Sequence, residues 1–104
     1  MKRVWITMAL TLGIVSPVVA SQTLAKTRSC MACHAVEKKL VGPSFKAVAS
    51  RYMGQPDIAD IADILAEKIK RGGGGVWGVV PMPANPQVSD AEAKKLATWV
   101  LSLK

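Results

Sequence analysis

Residues 30–34 read Cys30-Met31-Ala32-Cys33-His34, and they hold both cysteines and the single histidine of a 104-residue chain. An isolated cysteine pair in an exported protein first suggests a disulfide. A C-x-x-C pair can also be a thiol redox site, but that usually accompanies a βαβ pattern, and this chain has none. Zinc needs four ligands, and no further Cys or His exists to complete the set. The adjoining His34 points elsewhere. C-x-x-C-H is the attachment signature of c-type haem, in which Cys30 and Cys33 add to the porphyrin vinyl groups and the next imidazole lies under the iron.

Iron held by His34 has one further axial position. Without a second histidine, bis-histidine ligation within one chain is excluded. Three methionines remain once the N-terminal segment is set aside. Met31 lies inside the attachment loop, and Met53 ends an apolar run and is expected in the core. Met82 stands 48 residues beyond His34, within Pro81-Met82-Pro83-Ala84-Asn85-Pro86. Methionine is usually core filler, but a core filler needs no rigid backbone. Proline fixes φ and lowers the freedom of a loop before folding. The strap therefore marks Met82 as the candidate sixth ligand, and a His/Met pair raises the reduction potential. An open sixth site would instead suit a haem peroxidase or gas sensor. Gly72 to Gly75, just upstream, are expected only to loosen a turn.

The chain opens with Met1-Lys2-Arg3, an apolar run from Val4 to Val15, then Ser16, Pro17 and Val18-Val19-Ala20. This is the grammar of a secretory signal peptide. Residues 1–20 are expected to be cleaved after Ala20, leaving 21–104 as one domain. The alternative is an uncleaved anchor, but the run is slightly short to span, and Gly13, Ser16 and Pro17 weaken it. A domain of this size buries little surface and commonly needs a staple such as a disulfide, metal or cofactor. Formal charge is +7, and +5 once Lys2 and Arg3 are removed. The basic residues lack interleaved stacking aromatics, so nucleic-acid binding is not expected. Lys26, Arg28, Lys38, Lys39, Lys46 and Arg51 could steer an acidic partner.

The remaining sequence predicts helices and no strands. Ser89 and Glu92 have capping-box spacing ahead of Leu96, Trp99, Val100 and Leu103, which recur on one helical face. Asp57 is expected to cap a helix lined by Ile58, Ile61, Ala62, Leu65 and Ile69, with Lys68, Lys70 and Arg71 late and glycine at the stop. A shorter helix follows Pro43. Another must lead into Cys30, and Ser21 to Ser29 allows it about two turns.

The stretches C-M-A-C-H-A, V-G-P-S-F-K, G-V-W-G-V-V-P-M-P-A-N and V-S-D-A-E-A, with the terminal W-V-L-S, resemble small bacterial class I monohaem cytochromes c of the cytochrome c-551 type. The resemblance spans nearly all of residues 21–104. It implies an all-α fold with about four helices wrapped around one covalently attached haem c, the first and last helices crossing. It also implies supporting roles: the Pro43 carbonyl accepting the His34 ring N–H, Asn85 holding the Met82 region, and Trp77, with Lys68 beside it, meeting a haem propionate. Three features depart from the family pattern: Ser29 where glycine is common, Ala25 where a bulkier residue often packs, and a slightly extended stretch around Pro56 to Asp63. The implied function is a soluble, monomeric periplasmic electron carrier and not an enzyme. Its partners would dock transiently, a membrane cytochrome complex as donor and a nitrite reductase or terminal oxidase as acceptor, with no stable membrane association after cleavage.

Overall fold

Ser89 starts the helix on which the rest of the chain is assembled. Its hydroxyl accepts the Glu92 backbone N–H at 3.1 Å, and the Glu92 carboxylate accepts the Ser89 N–H at 3.0 Å. This reciprocal box satisfies two donors that a helix start leaves unpaired. The computed structural model describes Trp5, Thr7, Gly13 and residues 16–104. Within them the helices are α1 (Pro17–Thr27), α2 (Phe45–Tyr52), α3 (Ile58–Arg71) and α4 (Asp90–Leu101), with a single 3-10 turn at Cys30–Ala32. No strand forms among the described residues, only an isolated antiparallel bridge between Gly73 and Met82.

Helix α4 packs against α3, α2 and α1. The core comprises Ala25, Phe45, Val48, Val88, Ala93, Leu96, Trp99 and Val100, with Leu65, Ile69 and Leu103 partly buried against it. Full burial of each large apolar side chain contributes about 1.5–3 kcal/mol. Ala25 and Ala93 are wholly inaccessible, so α1 lies on α4 with no room for a larger side chain at position 25. The two helices are also clamped by charge. Arg28 donates to Glu92 Oε2 from Nε at 3.2 Å and from Nη2 at 2.8 Å. Lys94 with Asp63 and Lys70 with Asp90 pair across α3 and α4.

Three expectations change. The helix leading to Cys30 is longer than two turns: Pro17 begins it, with the Ser16 hydroxyl accepting the Val18 N–H at 3.3 Å. A proline at the first helical position loses no hydrogen bond and already has helical φ. Helix α1 therefore has 11 residues and runs through Ala20 and Ser21, on both sides of the expected cut. Most of the apolar run proposed as a signal peptide lies outside the described residues. Asp57 does precede α3, but its φ of −101° and ψ of 35° are not the extended conformation from which a side chain caps, and no capping bond forms. Met53 is not core. It is 68% exposed, because α2 stops at Tyr52 and the left-handed Gly54 turns the chain outward. No helix among the described residues is long and apolar enough to cross a membrane.

Candidate haem-binding site

The segment after α1 folds into a tight hook before it reaches α2. Ser29 adopts a left-handed φ of 66° and turns the chain into Cys30. The Cys33 and His34 N–H groups then both bond to the Cys30 carbonyl, at 3.3 and 3.0 Å. The two sulfurs and the imidazole are thus fixed by one local turn. Three further backbone bonds sew this hook to residues 40–46, and a fourth, from Leu40 to Gly42, closes that segment on itself. Gly42 N–H reaches the Cys33 carbonyl at 2.8 Å, Leu40 N–H the Gly42 carbonyl at 3.1 Å, Phe45 N–H the Ala35 carbonyl at 2.9 Å and Lys46 N–H the Val36 carbonyl at 3.0 Å.

His34 Nδ1 lies 2.8 Å from the Pro43 carbonyl oxygen. That oxygen can only accept, so Nδ1 carries the proton and Nε2 keeps its lone pair for a metal. The Phe45 ring stacks on the imidazole with centroids 4.9 Å apart, and Trp99 meets Phe45 edge-on at 5.5 Å. Gly42 makes room for this arrangement: a Cβ there would stand 2.4 Å from His34 Cε1. Phe45 and Gly42 were not assigned a role from the sequence, although both lie in the V-G-P-S-F stretch.

Cys30, Cys33, His34, Lys68, Trp77 and Met82 line one cavity of about 540 Å³, a volume typical of cofactor sites. Its walls are mainly apolar and come from α2, α3, α4 and the 73–83 segment. Both cysteines are unbridged. Burial pushes the Cys30 thiol above its ordinary range, against a smaller lowering by a backbone hydrogen bond. Trp99 also lines the cavity, and its buried indole N–H has no protein partner. Two thiols and an imidazole on one short hook, a thioether across the same cavity lining and apolar walls together fit a flat, covalently held macrocycle.

Met31 packs on the core and Met53 is exposed, so of methionines 31, 53 and 82 only Met82 lines the cavity. Asn85 does not line it. Its side chain donates to the Ile69 carbonyl at 2.8 Å and to the Pro83 carbonyl at 3.3 Å, bridging α3 to the strap. Trp77 is partly exposed, and the Arg51 guanidinium lies 5.2 Å from its ring centroid. Of the basic residues considered for steering, Arg28 is held by Glu92 and Lys46 by Glu37.

Comparison with known proteins identifies the family. The chain is 60% identical over 83 residues to cytochrome c-551 of Azotobacter vinelandii, covering 80% of this chain and 96% of that protein. It is 53% identical to cytochrome c-552 of Hydrogenobacter thermophilus, over 88% of this chain and 90% of the relative. Its fold matches the crystal structure of wild-type Nitrosomonas europaea cytochrome c552 with a TM-score of 0.72 at 53% identity, covering 80% of this chain and 99% of that one. The pattern that defines the family described as cytochrome c matches residues 18–104. With its four helices and no strand among the described residues, the chain belongs to the cytochrome c family and has the class I fold.

Proposed function

We propose that this small electron-transfer haem protein is a periplasmic one-electron carrier whose iron is ligated by His34 and Met82. The coarser statement needs no proposal: cytochromes c carry one covalently attached haem c, are not enzymes and dock transiently with redox partners. The observation that carries the finer reading is that Cys30, Cys33, His34 and Met82 line one cavity while His34 Nδ1 is occupied by Pro43. Haem c, when bound, supplies a ferric/ferrous couple. Cys30 and Cys33 would hold it through thioethers, and His34 would offer Nε2 to the iron. The Pro43 hydrogen bond fixes the plane and tautomer of that imidazole. Met82 would offer a neutral sulfur, which favours the reduced state.

Trp77 and Lys68, at the cavity wall, would meet the propionates, and Asn85 would support the ligand through the strap. Residues 1–20 would direct export and be removed. A membrane cytochrome complex is the proposed donor and a nitrite reductase or terminal oxidase the acceptor. Absorption spectra of the exported protein in both oxidation states test this reading. Sharp reduced c-type bands and a weak far-red ferric–thioether band are expected. Met82→Ala should abolish the far-red band, admit carbon monoxide to the reduced iron and lower the reduction potential. Haem bands lacking that feature in the unaltered protein would favour an open-site enzyme or sensor.

A further inference from the structure

We infer that the glycine run Gly72–Gly74 is a seat that positions Met82, and not merely a loose turn; the inference rests on Met82 being the sixth ligand. The run begins where α3 ends. Gly72 donates to the Lys68 carbonyl at 2.8 Å and adopts φ 72° and ψ −159°. The next residue, Gly73, exchanges both backbone hydrogen bonds with Met82, at 2.8 and 2.9 Å. This is one rung of an antiparallel ladder. Helix ends leave their last carbonyls without partners, and here the strap supplies them. Asn85 N–H bonds to the Lys70 carbonyl at 3.0 Å, and the Asn85 side chain to that of Ile69. The backbone that carries Met82 is thereby docked on the C-terminus of α3.

The docking requires bare backbone. A Cβ at Gly72 would stand 2.3 Å from the Met82 carbonyl oxygen and 2.8 Å from both Ala84 N and Pro83 C. At Gly74 it would stand 3.2 Å from Pro81 Cα. Every one of these obstacles is backbone, so no side-chain rotation relieves it. Pro81 and Pro83 fix φ on each side of the methionine, and the strap cannot bend locally around an added methyl. It would have to shift as a unit by roughly 1 Å to restore ordinary contact, taking Met82 with it.

Three alanine variants separate the two demands placed on these glycines. Gly72→Ala combines a left-handed φ with a collision against the strap. Gly74→Ala introduces the milder contact and no left-handed φ. Gly54→Ala has the left-handed φ, 77°, with open space around the new Cβ. Each ferric variant is scanned in the far red, and each reduced variant is mixed with carbon monoxide, whose binding tracks the fraction of iron free of sulfur. The expected order is a lost or strongly weakened band and about tenfold faster binding for Gly72→Ala, a smaller change for Gly74→Ala, and none for Gly54→Ala despite its lower melting temperature. Retention of the unaltered band and rate by Gly74→Ala and by any folded Gly72→Ala overturns the seat and leaves the Met82 assignment standing. An equal loss in Gly54→Ala also overturns it, because general destabilisation would then suffice. Absence of the band from the unaltered protein removes the ligand assignment and the seat together.

Discussion

His34 and Met82 line the same cavity, yet they are held by different kinds of structure. His34 is backed by the core: its ring lies on Phe45, which in turn meets Trp99, while Pro43 fixes its tautomer. Met82 is held through hydrogen bonds of its strap, the backbone rung with Gly73 and the Asn85 backbone and side-chain bonds to the end of α3. The first arrangement draws on the hydrophobic effect and resists local displacement. The second draws on a few hydrogen bonds, each with a net contribution of about 0.5–1.5 kcal/mol. The difference teaches that the histidine position shares the fate of the whole domain, whereas the methionine position can be disturbed without unfolding it.

Phe45→Ala is the severest way to break that contrast. Loss of a buried phenylalanine should cost about 3–5 kcal/mol and lower the midpoint of denaturant unfolding. It should also loosen His34, seen as a broadened imidazole signal in NMR of the reduced protein. Stability near that of the unaltered protein would show that the ring is not a principal support. Glu92→Gln attacks the clamp between α1 and α4 and leaves the strap alone. The Ser89 N–H and the Arg28 side chain hold the Glu92 carboxyl below the usual glutamate range. Its folded-state affinity for protons is thus weaker than in the unfolded chain. The stabilisation is fully present above the ordinary carboxylate range and is lost as pH falls through the lowered value. Melting temperature followed against pH should show a shallower acid decline in Glu92→Gln, with the far-red band unchanged near neutrality. Parallel curves would remove the clamp from the account. Ser29→Gly should have the smallest effect and the opposite sign. Relief of a left-handed non-glycine residue stabilises by about 0.5–1 kcal/mol after the entropic cost of glycine. Unchanged or reduced stability in urea would mean that the hook already accommodates the serine.

The chemistry was more legible in the sequence than the scaffold that positions it. Cys30, Cys33, His34 and Met82 were singled out from local signals, the C-x-x-C-H spacing and the framing prolines, and the structure brings all four to one cavity. The capping box at Ser89 and Glu92 is likewise local, and it forms as read. Contacts between distant segments were not legible. Nothing in the spacing of Arg28 and Glu92 announces a partner 64 residues away. The glycine run gave a misleading signal for a related reason. Glycine is selected both for conformational freedom and for closeness to another backbone, and the sequence of one strand does not reveal the second. Asp57 and Met53 failed at helix ends, where one or two dihedral angles decide whether a side chain caps, packs or faces solvent.

The rung between Gly73 and Met82 has a kinetic consequence. It closes a loop of only nine positions, whereas Arg28 and Glu92 must meet across 64. Short loops of this length close in roughly 10–100 ns, so the strap can seat as soon as the end of α3 exists. It can also lift and reseat many times within the lifetime of the folded domain, because local opening does not require separation of the helices. The backbone that carries Met82 would thus be an early contact to form during folding and an early one to let go under stress.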